Sequence, residues 1–409
     1  MKRTITIRNR TFQMDFGFIF ILLLMWFTSI FALYNAFNLI KEGSSYSYMI
    51  RQSFWYLIGF ATVFLLTSLQ NRFIYRFMKD AYRYLMYALL YLFASRMTAS
   101  FLGFTLPLAP PINGAISWFI IPLLGSFQPS EFMKVVLIVL VSQAITEHQN
   151  KFPDPTVRDD LRLIFRVARI LVPPLVLIFM QPDTGVCIII FFTIFVMLVC
   201  SGIRRGYVIT AFVSIAVVVG GFFYLYLNHQ EFLASIISAY RLQRIEAWLN
   251  PESYIRGSSN QLYTALLSLG SAGLTGYGMQ ANIISIPEAH TDFIFAAIGQ
   301  CFGLAGTSAI VLLCLILDLY LCKIAYNTKD RTDRFIVIGV IAMLLYQQMQ
   351  NLSMIIGLLP ITGITLPLIS YGGSSILSYF ISFAIILNIS PAKKEAIHLF
   401  NRRRKTKLV

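Results

Sequence analysis

Charge is scarce in this chain: 12% of its 409 residues are Asp, Glu, Lys or Arg, against 57% that are hydrophobic. A water-soluble fold with so few polar side chains cannot cover its apolar ones, which excludes the ordinary globular classes. Acid is scarcer still, with 18 acidic residues against 33 basic. Cysteine is limited to Cys187, Cys200, Cys301, Cys314 and Cys322, an odd number lying within or at the ends of apolar runs. Neither a disulfide framework nor a metal-ligand spacing can be drawn from them, so buried packing is the role left to them. The four histidines are scattered, and a His/Cys metal centre has no support. No low-complexity segment or obvious repeat stands out.

Long apolar runs take up most of the chain. They fall near 16–34, 54–69, 84–104, 131–145, 170–180, 184–200, 207–227, 293–322, 335–359 and 374–389. Most are long enough to cross a hydrocarbon core, which predicts an all-α, polytopic membrane protein of about ten spans. The first run follows Lys2, Arg3, Arg8 and Arg10, is too long for a signal-peptide core and lacks a small-residue cleavage pattern, so it reads as a retained span. With both ends in the cytoplasm, 26 of the 33 Lys and Arg fall on the cytoplasmic side, including a basic tail over 391–409. That asymmetry fits the positive-inside rule, and the inverted topology violates it at every loop. The net charge of +15 therefore reads as topology and lipid anchoring, not as a nucleic-acid site.

One membrane domain covers 1–409, with its longest non-spanning stretch, an extracytoplasmic loop, over about 228–291. Phe232, Leu233, Ile236, Ile237, Tyr240, Trp248 and Leu249 share a helical face there, as in a helix lying along the membrane surface. A Gly-rich bend at 270–278 follows. Two further irregular stretches, 106–128 and 359–373, belong to the same side. Irregular backbone at membrane depth survives where protein buries it or where it lines water, so the three together predict an outward-opening cavity.

Ionisable residues at membrane depth are functional candidates by default. Glu131 and Lys134, three apart, share a helical face; a structural ion pair and a direct catalytic part are both open to them. Asp183 reads as the cap of the sixth span. Pro287 suits a helix start, which sets Glu288, His290 and Asp292 at an outward-facing helix N-terminus, where an ionised carboxylate is favoured. General base and helix cap are both open roles for these acids. Gly299, Gly303 and Gly306 read as a small-residue stripe for close helix packing. Asp318, toward the cytoplasmic end of its span, is left out of the site.

These residues carry a resemblance. Gln128-Pro129-Ser130-Glu131-Phe132-Met133-Lys134, Gln181-Pro182-Asp183-Thr184-Gly185, Tyr240-Arg241 through Leu249-Asn250-Pro251, Pro287 through Phe295, and Leu359-Pro360 through Ser370-Tyr371-Gly372-Gly373 match, in order and spacing, the shape, elongation, division and sporulation family of bacterial glycosyltransferases. The resemblance implies a ten-span enzyme of the bacterial plasma membrane that polymerises lipid II into glycan strands, with its active site outside. In it an acceptor 4-hydroxyl attacks C1 of the donor N-acetylmuramic acid, and undecaprenyl pyrophosphate leaves with inversion. It implies Asp292 as general base and Glu131 and Lys134 as an important pair. Gln128, Ser130, Glu288, His290, Ser370, Tyr371, Gly372 and Gly373 would support the site, and Arg241 and Arg244 would meet the pyrophosphate. It admits a divalent cation, Mg or Mn, on the pyrophosphate, although no cage of ligands for one is visible. The implied partner is a class B penicillin-binding protein, a transpeptidase. The stretches Gln128 to Glu131 and Gly357 to Pro360 look more like the elongation member than the division member.

Two departures from the family pattern stand out. Ser117 occupies the position before Trp118 where many relatives have arginine, and Gly299-Gln300-Cys301 stands where many have Gly-Glu-Glu. A transporter flipping a lipid-linked saccharide is the rival from another class, since broken helices around a polar cavity also describe carriers. A non-catalytic scaffold for a synthase is the third reading.

Overall fold

The computed structural model describes residues 3–7, 10–40, 45–112, 115–121, 125–236, 239–254 and 260–389. The basic tail over 391–409 lies outside the described residues. An antiparallel hairpin, β1 (Arg3–Ile7) on β2 (Arg10–Met14), precedes the first span, a feature the sequence reading did not anticipate. Asp15 then caps α1 (Phe16–Asn35), its carboxylate accepting from Phe18 N at 3.4 Å. Next come α2 (Ser45–Thr67) and α3 (Asn71–Leu102). At 32 residues α3 is about 48 Å long and outruns a hydrocarbon core. Its first turns carry Arg72, Arg76, Lys79, Asp80 and Arg83, which continue the helix while lowering hydropathy, so the apolar run begins later than the helix. Gly103, at φ 75, ends it in the left-handed conformation.

A short hairpin, β3 (Phe119–Ile121) with β4 (Gly125–Phe127), leads into α4 (Pro129–Lys151), where Pro129 occupies the first turn. A Thr156/Asp159 capping box starts α5 (Val157–Met180). Asp183 starts α6 (Thr184–Cys200) by accepting from Val186 N at 3.3 Å, as the sequence predicts. After α7 (Arg205–Asn228), the amphipathic stretch expected over 232–249 is split into α8 (Gln230–Ile236) and α9 (Ala239–Leu249). The chain continues through α10 (Asn260–Ser271), α11 (Ile294–Asn327), α12 (Arg331–Ile355) and α13 (Gly373–Ile389).

Among the described residues, eight helices are long and apolar enough to span a membrane, and the shorter apolar α6 and α13 bring the bundle to the ten expected. At its centre α4 and α12 are buried along most of their length, whereas α7 is buried at Tyr226 alone among its described residues. Close approach is written in glycine: a Cβ on Gly339 of α12 would stand 2.7 Å from Ile138 of α4 and 2.8 Å from Met197 of α6. Where α13 is short, irregular backbone takes its place. Leu366, Leu368, Ile369 and Ser370 are all at most 3% exposed. Side chains from α1 and α2 satisfy this buried loop: Ser29 donates to Ile369 O at 2.8 Å, Gln52 to Ser370 O at 2.9 Å, and Tyr56 to Leu368 O. It is thus the protein-buried irregular segment that membrane depth requires.

The small-residue stripe on α11 does more than pack. Gly299 meets Leu269 of α10, but Gly303 breaks the helix at φ 58, ψ −149. The Gly-rich bend after α10 inserts there and bonds the freed backbone. Tyr277 N donates to Gln300 O, Gly278 N to Cys301 O and Leu304 N to Gly273 O, each at 2.9 Å. The expectation of a purely helix-packing stripe is corrected: Gly303 is a joint.

Candidate active site

Four segments far apart in sequence meet at one end of the bundle. The first is 287–293, where the structure departs from the predicted helix start. Pro287 does not begin a helix; turns occupy 288–293, Glu288 has φ 54, and α11 starts at Ile294 after Phe293, which makes no side-chain cap. Asp292 is therefore not a helix cap. Its carboxylate Oδ1 accepts from Thr291 Oγ1 at 3.0 Å, and the same hydroxyl lies 3.0 Å from Glu288 Oε2. One hydroxyl proton shared by two carboxylates brings Glu288 and Asp292 into a common polar cluster. Glu288 is exposed, while Asp292 is 9% exposed.

Asn351 of α12 holds the backbone beneath Asp292, donating to Asp292 O at 2.8 Å and to Ile364 O at 2.7 Å. One amide thus ties the acid's segment to the buried loop before α13. Within that loop Gly363, at φ 72, lies beside Asp292: a Cβ added there would be 4.0 Å from Oδ2. Ile364 and Thr362 O in turn lie 3.0 and 3.4 Å from a Cβ placed on Gly185 of α6, which brings in the next segment.

At the foot of α6, Asp183 Oδ2 accepts from Gln128 Nε2 at 2.7 Å and from Ser130 Oγ at 3.1 Å. Those contacts lock the start of α4 to the start of α6. One turn on, Lys134 Nζ is 2.9 Å from Glu131 Oε1, with both side chains buried, so the spacing-based pairing is realised. Lys134 also stands 5.6 Å from the centre of the Tyr379 ring, and the Tyr379 hydroxyl donates to Gln347. Glu131 Oε2 has no hydrogen-bond partner among the described residues.

Ser370, Gly372 and Gly373 are scaffold. The Ser370 hydroxyl accepts from Leu366 N at 2.9 Å, Gly372 N donates to Gln52 Oε1 at 3.3 Å, and a Cβ on Gly373 would strike the Trp55 ring at 2.4 Å. Tyr371 differs. Its N–H donates to His290 O at 2.9 Å, and burial pushes its phenol pKa up while hydrogen bonding to Arg51 lowers it. Burial holds the His290 imidazole below its ordinary range, with Glu288 opposing, so it is neutral near pH 7. Arg241 and Arg244 fall on α9, but their side chains lie outside the described residues.

Both departures from the family pattern have local explanations. Ser117, 1% exposed, donates to Gln181 O at 2.8 Å, and Gln181 in turn donates to Leu89 O. Gln300 is fully buried and uses both ends of its amide: Oε1 accepts from Ile283 N and Ile284 N at 2.7 and 3.1 Å, and Nε2 donates to Ser268 Oγ and Ile284 O at 3.1 and 2.9 Å. Sequence reasoning missed Asn351, Gln52, Tyr48 and Thr291. For Asn351 a signal was available, a neutral amide inside the apolar run 335–359, and Gln52 stands just ahead of the run 54–69. No three His, Cys, Asp or Glu among the described residues are grouped to hold a metal. Among the described residues the carboxylates thus form no protein-held ion site.

The cell cycle protein family model of FtsW, RodA and SpoVE matches residues 13–395. The chain belongs to this family. Among similar curated proteins is stage V sporulation protein E of Bacillus subtilis, 32% identical over 68% of this chain and 72% of its own length. Another is a probable peptidoglycan glycosyltransferase FtsW of Trichlorobacter lovleyi, 32% identical over 70% and 71%. Solved structures share the fold. A chain from a peptidoglycan synthase complex, described as coordinating polymerization and crosslinking, aligns with a TM-score of 0.70 at 23% identity, over 92% of this chain and 97% of that one. Thermus thermophilus RodA aligns with a TM-score of 0.62 at 22% identity, over 92% and 96%.

Proposed function

We propose that this chain polymerises lipid II, with Asp292 as general base, and that the end of the bundle carrying Asp292 faces out of the cytoplasm. The supporting observation is a carboxylate 9% exposed, with its backbone fixed by Asn351 and a glycine, Gly363, leaving room beside it. A carboxylate so placed accepts the proton of an incoming sugar 4-hydroxyl as its oxygen bonds to C1 of the donor N-acetylmuramic acid. The C1–O bond to the diphosphate breaks, undecaprenyl pyrophosphate leaves with both bonding electrons, and the anomeric centre inverts. Thr291 steadies the carboxylate, and Glu288 keeps the neighbourhood negative. The buried Glu131–Lys134 pair fixes the start of α4, from which Gln128 and Ser130 hold Asp183. Sidedness follows from the basic residues, 26 of 33 of which fall on the opposite side in the topology with both termini in the cytoplasm.

A class B penicillin-binding protein is the proposed partner, in keeping with the synthase complex whose chain shares this fold. Which process the strands serve is the finer part of the reading. The Gln128–Glu131 and Gly357–Pro360 stretches lean it toward elongation, while the curated relatives carry sporulation and division names. Depletion that rounds cells supports elongation, and depletion that yields filaments supports division.

The decisive experiment supplies lipid II to purified protein, alone and with its partner, and measures glycan strands. Native protein should polymerise, and Asp292→Asn should lower the rate by at least about a hundredfold. Polymer at the native rate from the variant would remove Asp292 as base. No polymer from the native protein with its partner present would favour a carrier or a scaffold.

A further inference from the structure

The first turns of α3, at the end of the bundle away from Asp292, carry groups that the glycosyl-transfer site does not use. Arg72, Arg76, Lys79 and Arg83 follow one another at spacings of four, three and four, so they form a stripe along one helical face. All four are exposed. Arg83 pairs with Asp80, whereas Arg72, Arg76 and Lys79 have no carboxylate partner among the described residues. Phe73, Phe77 and Tyr84, exposed as well, make a second stripe beside the first.

The stripe is held in place from behind. Ile74 and Met78 are buried, the Tyr75 hydroxyl donates to Asp333 Oδ1 at 2.7 Å, and the Tyr82 hydroxyl donates to Ile170 O of α5 at 3.0 Å. That last bond fixes the register of two helices. Arg83 follows Tyr82 and Arg169 precedes Ile170, so cations from α3 and α5 flank one interhelical contact at one depth. Arg169 is exposed, lies 5.3 Å from the centre of the Phe165 ring and has no carboxylate partner among the described residues. Like charges gathered in this way repel unless an anion comes between them.

Depth decides which anion fits. Residues 68–70 alone separate α2 from α3, and Phe64 and Leu65 near the end of α2 are exposed apolar side chains. The bilayer therefore reaches the level at which α3 begins, and the stripe climbs from there beside lipid, not through open cytoplasm. Exposed aromatics next to basic residues are what a membrane–water boundary favours. Asn388 Nδ2 donates to Leu69 O at 3.3 Å, so the tail beyond Ile389 leaves α13 close to the stripe. That tail is itself basic and adds to the charge.

We propose that the α3 stripe, together with Arg169 of α5, is a binding site for the headgroup of an anionic phospholipid of the cytoplasmic leaflet. Guanidinium forks suit the phosphate oxygens, and the phenylalanines suit the acyl chains beneath them. The site differs from the diffuse charge of the cytoplasmic loops because its cations stand at fixed spacing on two packed helices. It does not depend on the glycosyl-transfer reading.

The test uses the full chain in phosphatidylcholine nanodiscs doped with a trace of phosphatidylglycerol or phosphatidylcholine, each bearing the same diazirine on an acyl chain close to the glycerol. After illumination the labelled peptides are mapped by mass spectrometry. Over 72–84 and 165–170 the phosphatidylglycerol probe should label at least about fivefold more than the phosphatidylcholine probe. Arg76→Gln, Lys79→Gln and Arg169→Gln combined should erase that preference with an unchanged melting temperature, and Arg76→Lys with Arg169→Lys should keep most of it. Lys323→Gln, Lys329→Gln and Arg331→Gln, which remove as much charge elsewhere on the same side, should leave it intact. Equal labelling of 72–84 by the two probes would hand the stripe to an acidic cytoplasmic protein and overturn the proposal. A preference that survives the first triple variant, or that falls as far in the second, would also overturn it, since the field of the whole face would then account for the binding.

Discussion

At the scale of single residues, the site is governed by how each polar group at depth finds partners. Gln300 is the clearest case, because four contacts use both the donor and the acceptor ends of one buried amide. Gln300→Glu keeps the acceptor but loses the donors to Ser268 and Ile284 O, and it sets an anion against a carbonyl. The expected cost is about 3 kcal/mol, read as a fall in melting temperature in detergent, with a loss of activity because residues 283–284 lead into the Asp292 segment. His290 gives a pH signature. Burial lowers its pKa in the folded state, so below the ordinary imidazole range near about 6.5 the unfolded chain takes up a proton that the folded one resists. Stability should fall as pH drops through that window and level off below the folded value. His290→Gln, followed by thermal unfolding from pH 8 to pH 5, should flatten the dependence. Asp292 itself was legible as a candidate from its place before an apolar run. Whether it stands at the helix N-cap was not, since that depends on where the helix begins, and turns over 288–293 put the start at Ile294.

At the scale of elements, hydropathy located the spans but underestimated α2, α3 and α5, whose charged ends continue the helix beyond the apolar stretch. It could not see β1 and β2, because five-residue strands in a basic leader carry too little alternation to stand apart from a tail. Nor did spacing distinguish a packing glycine from a joint. Gly299 and Gly303 look alike in sequence, and only the insertion of the Gly-rich bend into α11 tells them apart. A Cβ on Gly276 would lie 2.4 Å from the backbone of Cys301, at a φ of 73 that side chains rarely adopt. Gly276→Val should therefore destabilise by at least about 2 kcal/mol and unseat the bend, detectable as new protease sensitivity near 272–278.

At the scale of the whole molecule, burial is uneven. The α4–α12 pair forms the dense axis, and α7 stands at its edge. Val218→Trp on α7, a site 71% exposed to its surroundings, should shift unfolding by no more than about 0.5 kcal/mol. Gly339→Leu on α12, a smaller added side chain, should cost several times that, because Ile138 and Met197 already fill the space. A melting curve for each variant settles the contrast. The ten-span architecture was readable in advance because length and hydropathy are properties of each segment alone. That 128–134, 288–293 and 359–373 serve one site was legible through the resemblance, whereas the contacts that join them, Asn351 to Asp292 O and Gly185 against Ile364, were not, since they depend on helix neighbours that no local pattern encodes.

The straps on the loop before α13 reach across the chain, with Ser29, Gln52 and Tyr56 bonding residues 312 to 340 positions later. During synthesis the first two helices enter the bilayer long before those carbonyls exist. Until the last span arrives, a hydroxyl, an amide and a phenol sit in hydrocarbon without their final partners. A chain that stops short of position 368 would keep those three groups without the carbonyls that satisfy them in the finished bundle.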